Sequence, residues 1–167
     1  MSPDNPMDSA PEKHPEYGVF PAEEARRLTG YELFQRVLIG TLPRALISRT
    51  LEFELTEVEK GRVVFAGRPR IDFYNPIGSV HGGYAATLLD SCMGCAVHTM
   101  LPAGTGYTTL EIKVNYDRAL TENTGLVRAE GKVLTAGKRI ATAEGRLFDS
   151  ENRLCAHATT TCLVFPL

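Results

Sequence analysis

The spacing of apolar residues changes several times along the chain, and each change marks an element. After Pro21, Leu28, Leu33, Phe34, Val37 and Leu38 recur at three- and four-residue intervals, which predicts helix to Ile39 with a break near Gly30. Acids precede bases in this stretch, as the helix dipole favours. From Leu51 the period falls to two: Leu51, Phe53 and Leu55 alternate with Glu52, Glu54 and Thr56. Lys60-Gly61 then turns the chain into Val63, Phe65 and Gly67. A turn-rich segment ending in His81-Gly82-Gly83 leads into an apolar run from Tyr84 to Leu101, closed by Pro102 and Gly104, so a helix is expected over 82–100. From Thr108 to Tyr116 strict alternation returns. Leu110, Ile112, Val114 and Tyr116 fall on one face, and Thr109, Glu111, Lys113 and Asn115 on the other. Three further strands are expected at about 124–135, 139–149 and 153–165.

Those last three strands share a feature that decides the packing. Each has one face of small residues: Ala129 and Gly131, Ala141 and Gly145, Ala156 and Ala158. Small side chains on adjacent strands let a bulky element approach closely. The 82–100 segment is the element wide enough, being apolar over most of its circumference, and such a helix is normally surrounded. The expected architecture is α+β: an antiparallel sheet curled round one long central helix, with an N-terminal helical extension. Strand order is not fixed by these patterns. The expected divisions are a flexible leader over 1–20, rich in Pro, Asp and Glu, a helical extension over 21–50, and the main domain over 51–167.

A length of 167 residues suits one domain with a single core. A net charge of -2 gives no reason to expect nucleic acid as the partner. The apolar run is interrupted by Asp90, Gly94 and His98, so no membrane span is expected, and the N-terminus lacks signal-peptide order. A cytoplasmic protein is the simplest reading. Cys92 and Cys95 form a C-x-x-C, but mid-helix, whereas redox pairs sit at helix N-termini. Cys155 and Cys162 are seven apart, which sends them to opposite faces of a regular strand. All four read as small buried residues, and no metal site is expected because His and carboxylates do not cluster at ligand spacing.

The chemistry concentrates between Asn75 and Asp90. Two glycines at a helix start leave backbone N–H groups uncovered where the dipole favours negative charge. A carboxylate within an apolar helix is costly unless it has a task. Together they suggest a polarised carbonyl and an activated water.

With His-Gly-Gly opening the central helix and Asp90 nine residues after His81, the chain resembles the hotdog-fold acyl-CoA thioesterases, most nearly the phenylacetate-pathway-like branch. The similarity runs from about Leu51 to Phe165. It implies that Asn75 and His81 shape the site, that the Gly82 N–H polarises the thioester carbonyl, and that Asp90 is general base or nucleophile. A hydroxyl at Thr109, or at Thr108, would position water; the branch often has Ser there. Gly83 joins the substrate-binding set, and Gly137-Lys-Arg-Ile-Ala141 resembles the turn near the CoA phosphates, which makes Lys138 and Arg139 candidate contacts. The implied substrate is an acyl-CoA, with no cofactor beyond the coenzyme A it carries, and self-association as a homodimer or tetramer is implied as well.

Geometry argues for the dimer independently. Gly82 and Asp90 stand about 12 Å apart along a helix axis, yet each must lie within roughly 3 Å of its reacting atom. Two antiparallel copies of the helix meet that demand, Gly82 of one chain facing Asp90 of the other, in two equivalent composite sites. Two rival functions stand beside hydrolysis: a non-catalytic acyl-CoA or lipid binder, and an acyl-thioester hydratase or dehydratase. The resemblance implies that hydratases commonly pair an Asp with a His five residues on, and position 95 here is Cys.

Overall fold

The computed structural model describes residues 16–167. Strands β1 (Phe53–Glu59), β2 (Arg62–Gly67), β3 (Thr105–Tyr116), β4 (Val127–Ala136), β5 (Ile140–Phe148) and β6 (Leu154–Pro166) form one antiparallel sheet in the order β1-β2-β4-β5-β6-β3. The sheet curves round helix α4 (Gly82–His98), which packs against every strand. Ahead of β1 come α1 (Ala22–Arg27), α2 (Gly30–Leu38) and α3 (Leu46–Thr50).

Small residues explain the closeness of helix and sheet. A Cβ at Gly131 would lie 2.4 Å from the carbonyl carbon and oxygen of Cys92, and one at Gly145 would lie 2.9 Å from the Met93 side chain. Ala129, Ala141, Ala143 and Cys162 are fully buried beneath the same helix. The α4 backbone therefore rests on β4 with no side chain between them. Leu88, Leu89, Cys92 and Met93 fill the space on either side at zero exposure.

The helical stretch over 22–39, expected to break near Gly30, is two helices that meet there. Thr29 ends the first and caps the second: its hydroxyl accepts from the Glu32 N–H at 3.3 Å, while the Glu32 carboxylate accepts from the Thr29 N–H at 2.8 Å. This pulls Glu32 below its ordinary carboxylate range, the backbone hydrogen bond from Thr29 contributing most. Gly30 then lies directly on the last turn of α4, donating its N–H to Leu101 O at 3.2 Å, and Phe34 packs edge-on against His98. The extension is thereby fixed over the C-terminal half of α4. Residues 1–15 of the segment read as a leader lie outside the described residues. Its last part is docked: Tyr17 bridges to Arg44 and Phe20 packs edge-on to Phe34.

Two bulges alter the predicted faces. In β3 the register steps from Thr109↔Cys162 to Glu111↔Thr161, leaving Leu110 as the extra residue, outward and 56% exposed. The parity of the strand changes there, so Thr109 shares the inner face with Ile112, Val114 and Tyr116. Leu110, expected inside, is outside. In β6 a register shift opposite Leu147 and Phe148 brings Cys155 into the same core as Cys162, not to the opposite face.

Candidate active site

The loop before α4 is built by its own side chains. Asn75 Oδ1 accepts from the N–H groups of Ile77 at 3.1 Å and Ser79 at 3.4 Å, and its amide donates to Ser79 Oγ. Gly78 turns the corner at φ +87°, a conformation that favours glycine. The Val80 N–H donates to Leu120 O, and Tyr74 Oη accepts from the Glu122 N–H. Asn75 thus spends its polar atoms on holding the loop.

The loop delivers His81 to the N-cap of α4. Its Nδ1 accepts the Gly83 N–H at 2.9 Å, which puts the proton of the neutral ring on Nε2. With Gly83 satisfied, the Gly82 N–H is left without an acceptor among the described residues. Gly82 lines a cleft of about 290 Å³ with His81, Tyr116, Arg118 and Leu120. Tyr116 was missed by sequence reasoning. Its hydroxyl donates to Gly82 O at 3.1 Å, and its ring lies where a Gly82 Cβ would come within 3.0 Å. The inward parity of β3 near its end was the signal that pointed to it.

Eight residues along α4, Asp90 is half-buried, and its Oδ1 accepts the Thr109 hydroxyl at 2.9 Å. No hydrogen bond engages its Oδ2 among the described residues. Asp90 lies on a half-exposed stripe of α4 that also carries Gly83, Ala86 and Thr87, beside the edge strand β3 whose Thr109 it meets. The α1–α3 extension meets α4 near Ser91, Cys95 and His98, while Gly83, Ala86, Thr87 and Asp90 stay half-exposed. Of the two candidate hydroxyls, Thr109 is inside and bonded to Asp90, while Thr108 pairs with Leu163 on the outer face and is exposed.

The structure does not join Lys138 and Arg139 to these groups within one chain. They are exposed at the other end of β3, bordering a hollow with Thr105, Val164 and Phe165. Nor is the C-x-x-C a reactive pair. Burial pushes the Cys95 thiol up to about 12, with the nearby Asp90 charge adding to it, and burial also holds the Cys92 thiol well above its ordinary range. Burial also holds His98 below the ordinary histidine range. Among the described residues no cluster of His, Cys, Asp and Glu is arranged for a metal, and no helix is long and apolar enough to cross a membrane.

Known proteins resemble this chain in sequence and fold. The profile of the thioesterase superfamily matches residues 77–156. A candidate esterase of Saccharolobus solfataricus is 30% identical over 112 residues, 67% of this chain and 78% of that protein. The solved structure of a Ralstonia eutropha candidate thioesterase, described as related to phenylacetic acid degradation, is 27% identical with a TM-score of 0.71, over 78% of this chain and 98% of its own. A Streptococcus mutans protein solved with acetyl-CoA bound has a TM-score of 0.62 at 24% identity, covering 68% of this chain and 89% of its own; that likeness speaks for the fold.

Proposed function

We propose an activity from one premise: the chain belongs to the thioesterase superfamily and has the hotdog fold. The activity is hydrolysis of an acyl-CoA thioester to the free acid and coenzyme A. In this reading the Gly82 N–H, at the positive end of α4, donates to the thioester oxygen and stabilises the charge that develops there. Asp90 acts on the carbonyl carbon. As general base it takes a proton from the attacking water; as nucleophile it forms an anhydride that water then opens. In both versions the C–S bond breaks, coenzyme A leaves as a thiolate and is reprotonated, and Asp90 ends as it began. Thr109 holds the carboxylate in place, and His81 serves as the cap that frees the Gly82 amide.

One observation carries this reading. On the half-exposed part of α4 stand, among the described residues, an amide without an internal acceptor and a carboxylate with one unengaged oxygen. The acetyl-CoA complex of the Streptococcus mutans neighbour supports a coenzyme A thioester as the substrate class.

The separation of Gly82 from Asp90, about 12 Å along the helix, favours a site shared between two chains. The long strand β3 supports that, because it stands at the sheet edge with its outer backbone groups unpaired. Antiparallel pairing of two β3 edges sets the Thr105 end of one chain, with Lys138 and Arg139, beside the Tyr116 end of the other, with Gly82. The exposed cations then fall within reach of the phosphates of a coenzyme A bound at the partner's Gly82 cleft.

The test is thiol release from a panel of acyl-CoAs, repeated with Asp90→Asn. The variant is expected to lose about 10²- to 10⁴-fold in kcat while melting like the wild type. Unchanged release in the variant would remove Asp90 from the chemistry, and no release by the wild type on any acyl group would favour the binder.

A further inference from the structure

Where the extension meets α4, it encloses a cavity of about 400 Å³. Its floor includes Ser91, the residue after Asp90, and Cys95 one turn further on; Phe53 lies on the sheet side, and Phe34 and Val37 of α2 form the opposite wall. Val19, Leu46 and Ile47 stand at the mouth and are 84%, 48% and 46% exposed, an apolar rim that nothing in the described chain covers. The one charge in the lining, Arg44, is engaged with Glu16 and Glu54 and lies over the Tyr17 ring. The superfamily profile begins at residue 77, so the α2–α3 wall lies outside it.

We propose that this cavity receives the acyl chain of the substrate and that its α2–α3 wall selects an apolar, aliphatic chain of medium length. The proposal rests on the thioester reading of the site, which it makes more specific. A thioester carbon held beside Asp90 has the cavity floor next to it in the sequence, Asp90 and Ser91 both standing on the half-exposed part of α4. The volume lies in the range of small-ligand pockets. Hydroxyl and charged acyl groups find no free charged partner there, whereas an aliphatic chain covers the apolar rim as well as the interior. Each methylene that enters removes apolar surface from water and raises affinity about fourfold until the cavity is full.

The decisive measurement is calorimetric binding of acetyl-CoA, octanoyl-CoA and phenylacetyl-CoA to the full-length Asp90→Asn protein, which separates binding from turnover. Octanoyl-CoA is expected to bind at least about a hundredfold more tightly than acetyl-CoA. Val37→Phe, which fills the cavity, should reduce that ratio to below about tenfold. Leu46→Trp narrows the mouth from an exposed position, so it reports even where Val37→Phe does not fold, and it should reduce the ratio as well. Ile39→Trp, at the C-terminal cap of α2 and away from the cavity, should keep the ratio of the parent. Equal affinity for octanoyl-CoA and acetyl-CoA, a preference for phenylacetyl-CoA over octanoyl-CoA, or an octanoyl preference untouched by Leu46→Trp overturns the proposal. An octanoyl preference in a wild type that releases no thiol would sustain the acyl cavity while refuting hydrolysis, so the two failures are distinguishable.

Discussion

At Thr109 a single hydroxyl is held 2.9 Å from a carboxylate, and replacing it separates two roles. Thr109→Val removes the hydrogen bond and keeps the shape, so kcat should fall about ten- to hundredfold with KM little changed, while Thr109→Ser should keep most of the activity. Thr108→Val, on the outer face, should leave both constants near wild type; steady-state kinetics on one acyl-CoA checks all three. The sequence left the two threonines as alternatives because strict alternation placed Thr109 outside with Glu111 and Lys113. Leu110 and Ile112 keep a perfect two-residue spacing, so nothing local announces the bulge that reverses the phase at Thr109. Asn75 was legible as a turn residue and His81 as part of a helix start. That His81 covers the Gly83 amide, and so leaves Gly82 open, depends on a rotamer no pattern encodes. The thiols supply a second residue-level expectation: because burial raises Cys92 and Cys95, alkylation at neutral pH should be slow in the native protein and rapid after unfolding.

Helix α4 and its supporting strands were readable because their signals are local: a long apolar run, and small residues in period two. What made them cohere is the contact at Gly131, where a Cβ would meet Cys92 backbone at 2.4 Å. Gly131→Ala must push α4 off the sheet and is expected to cost about 2–4 kcal/mol, measured as a lowered midpoint in chemical denaturation. The break before Gly30 was legible in the sequence, and the structure shows its cause, the capping box that Thr29 and Glu32 form. Strand order was not legible, because β3 lies beside β6 and β2 beside β4 only through pairings distant in sequence. The outer face of the sheet adds an electrostatic expectation. Burial works to raise Glu130, but hydrogen bonds from Lys132, Arg62 and Arg128 prevail and hold it at about 2, below its ordinary 4.5. A depressed carboxylate stabilises the fold above its unfolded pKa and loses that contribution as pH falls through the folded value. The midpoint temperature should therefore decline between pH 4.5 and about 2, and Glu130→Gln should flatten part of that decline.

In the whole molecule, the extension meets α4 near Ser91, Cys95 and His98 and leaves Gly83, Ala86, Thr87 and Asp90 half-exposed, while β3 offers an unpaired edge beside them. On the proposed reading both features suit a second chain. The residues that would complete a site are too far apart in one protomer, and a two-fold partner reverses their order. The direct test is a heterodimer purified through two different tags, one chain carrying Asp90→Asn and the other Gly82→Pro. Proline removes the amide hydrogen at the first helical position, where helices tolerate it, and its Cβ requires the Tyr116 ring to give by a few tenths of an ångström. If Gly82 of one chain works with Asp90 of the other, one of the two sites is intact and the heterodimer should hydrolyse acyl-CoA at about half the wild-type rate, although each homodimer is inactive. A heterodimer as inactive as its parents would contradict the shared site.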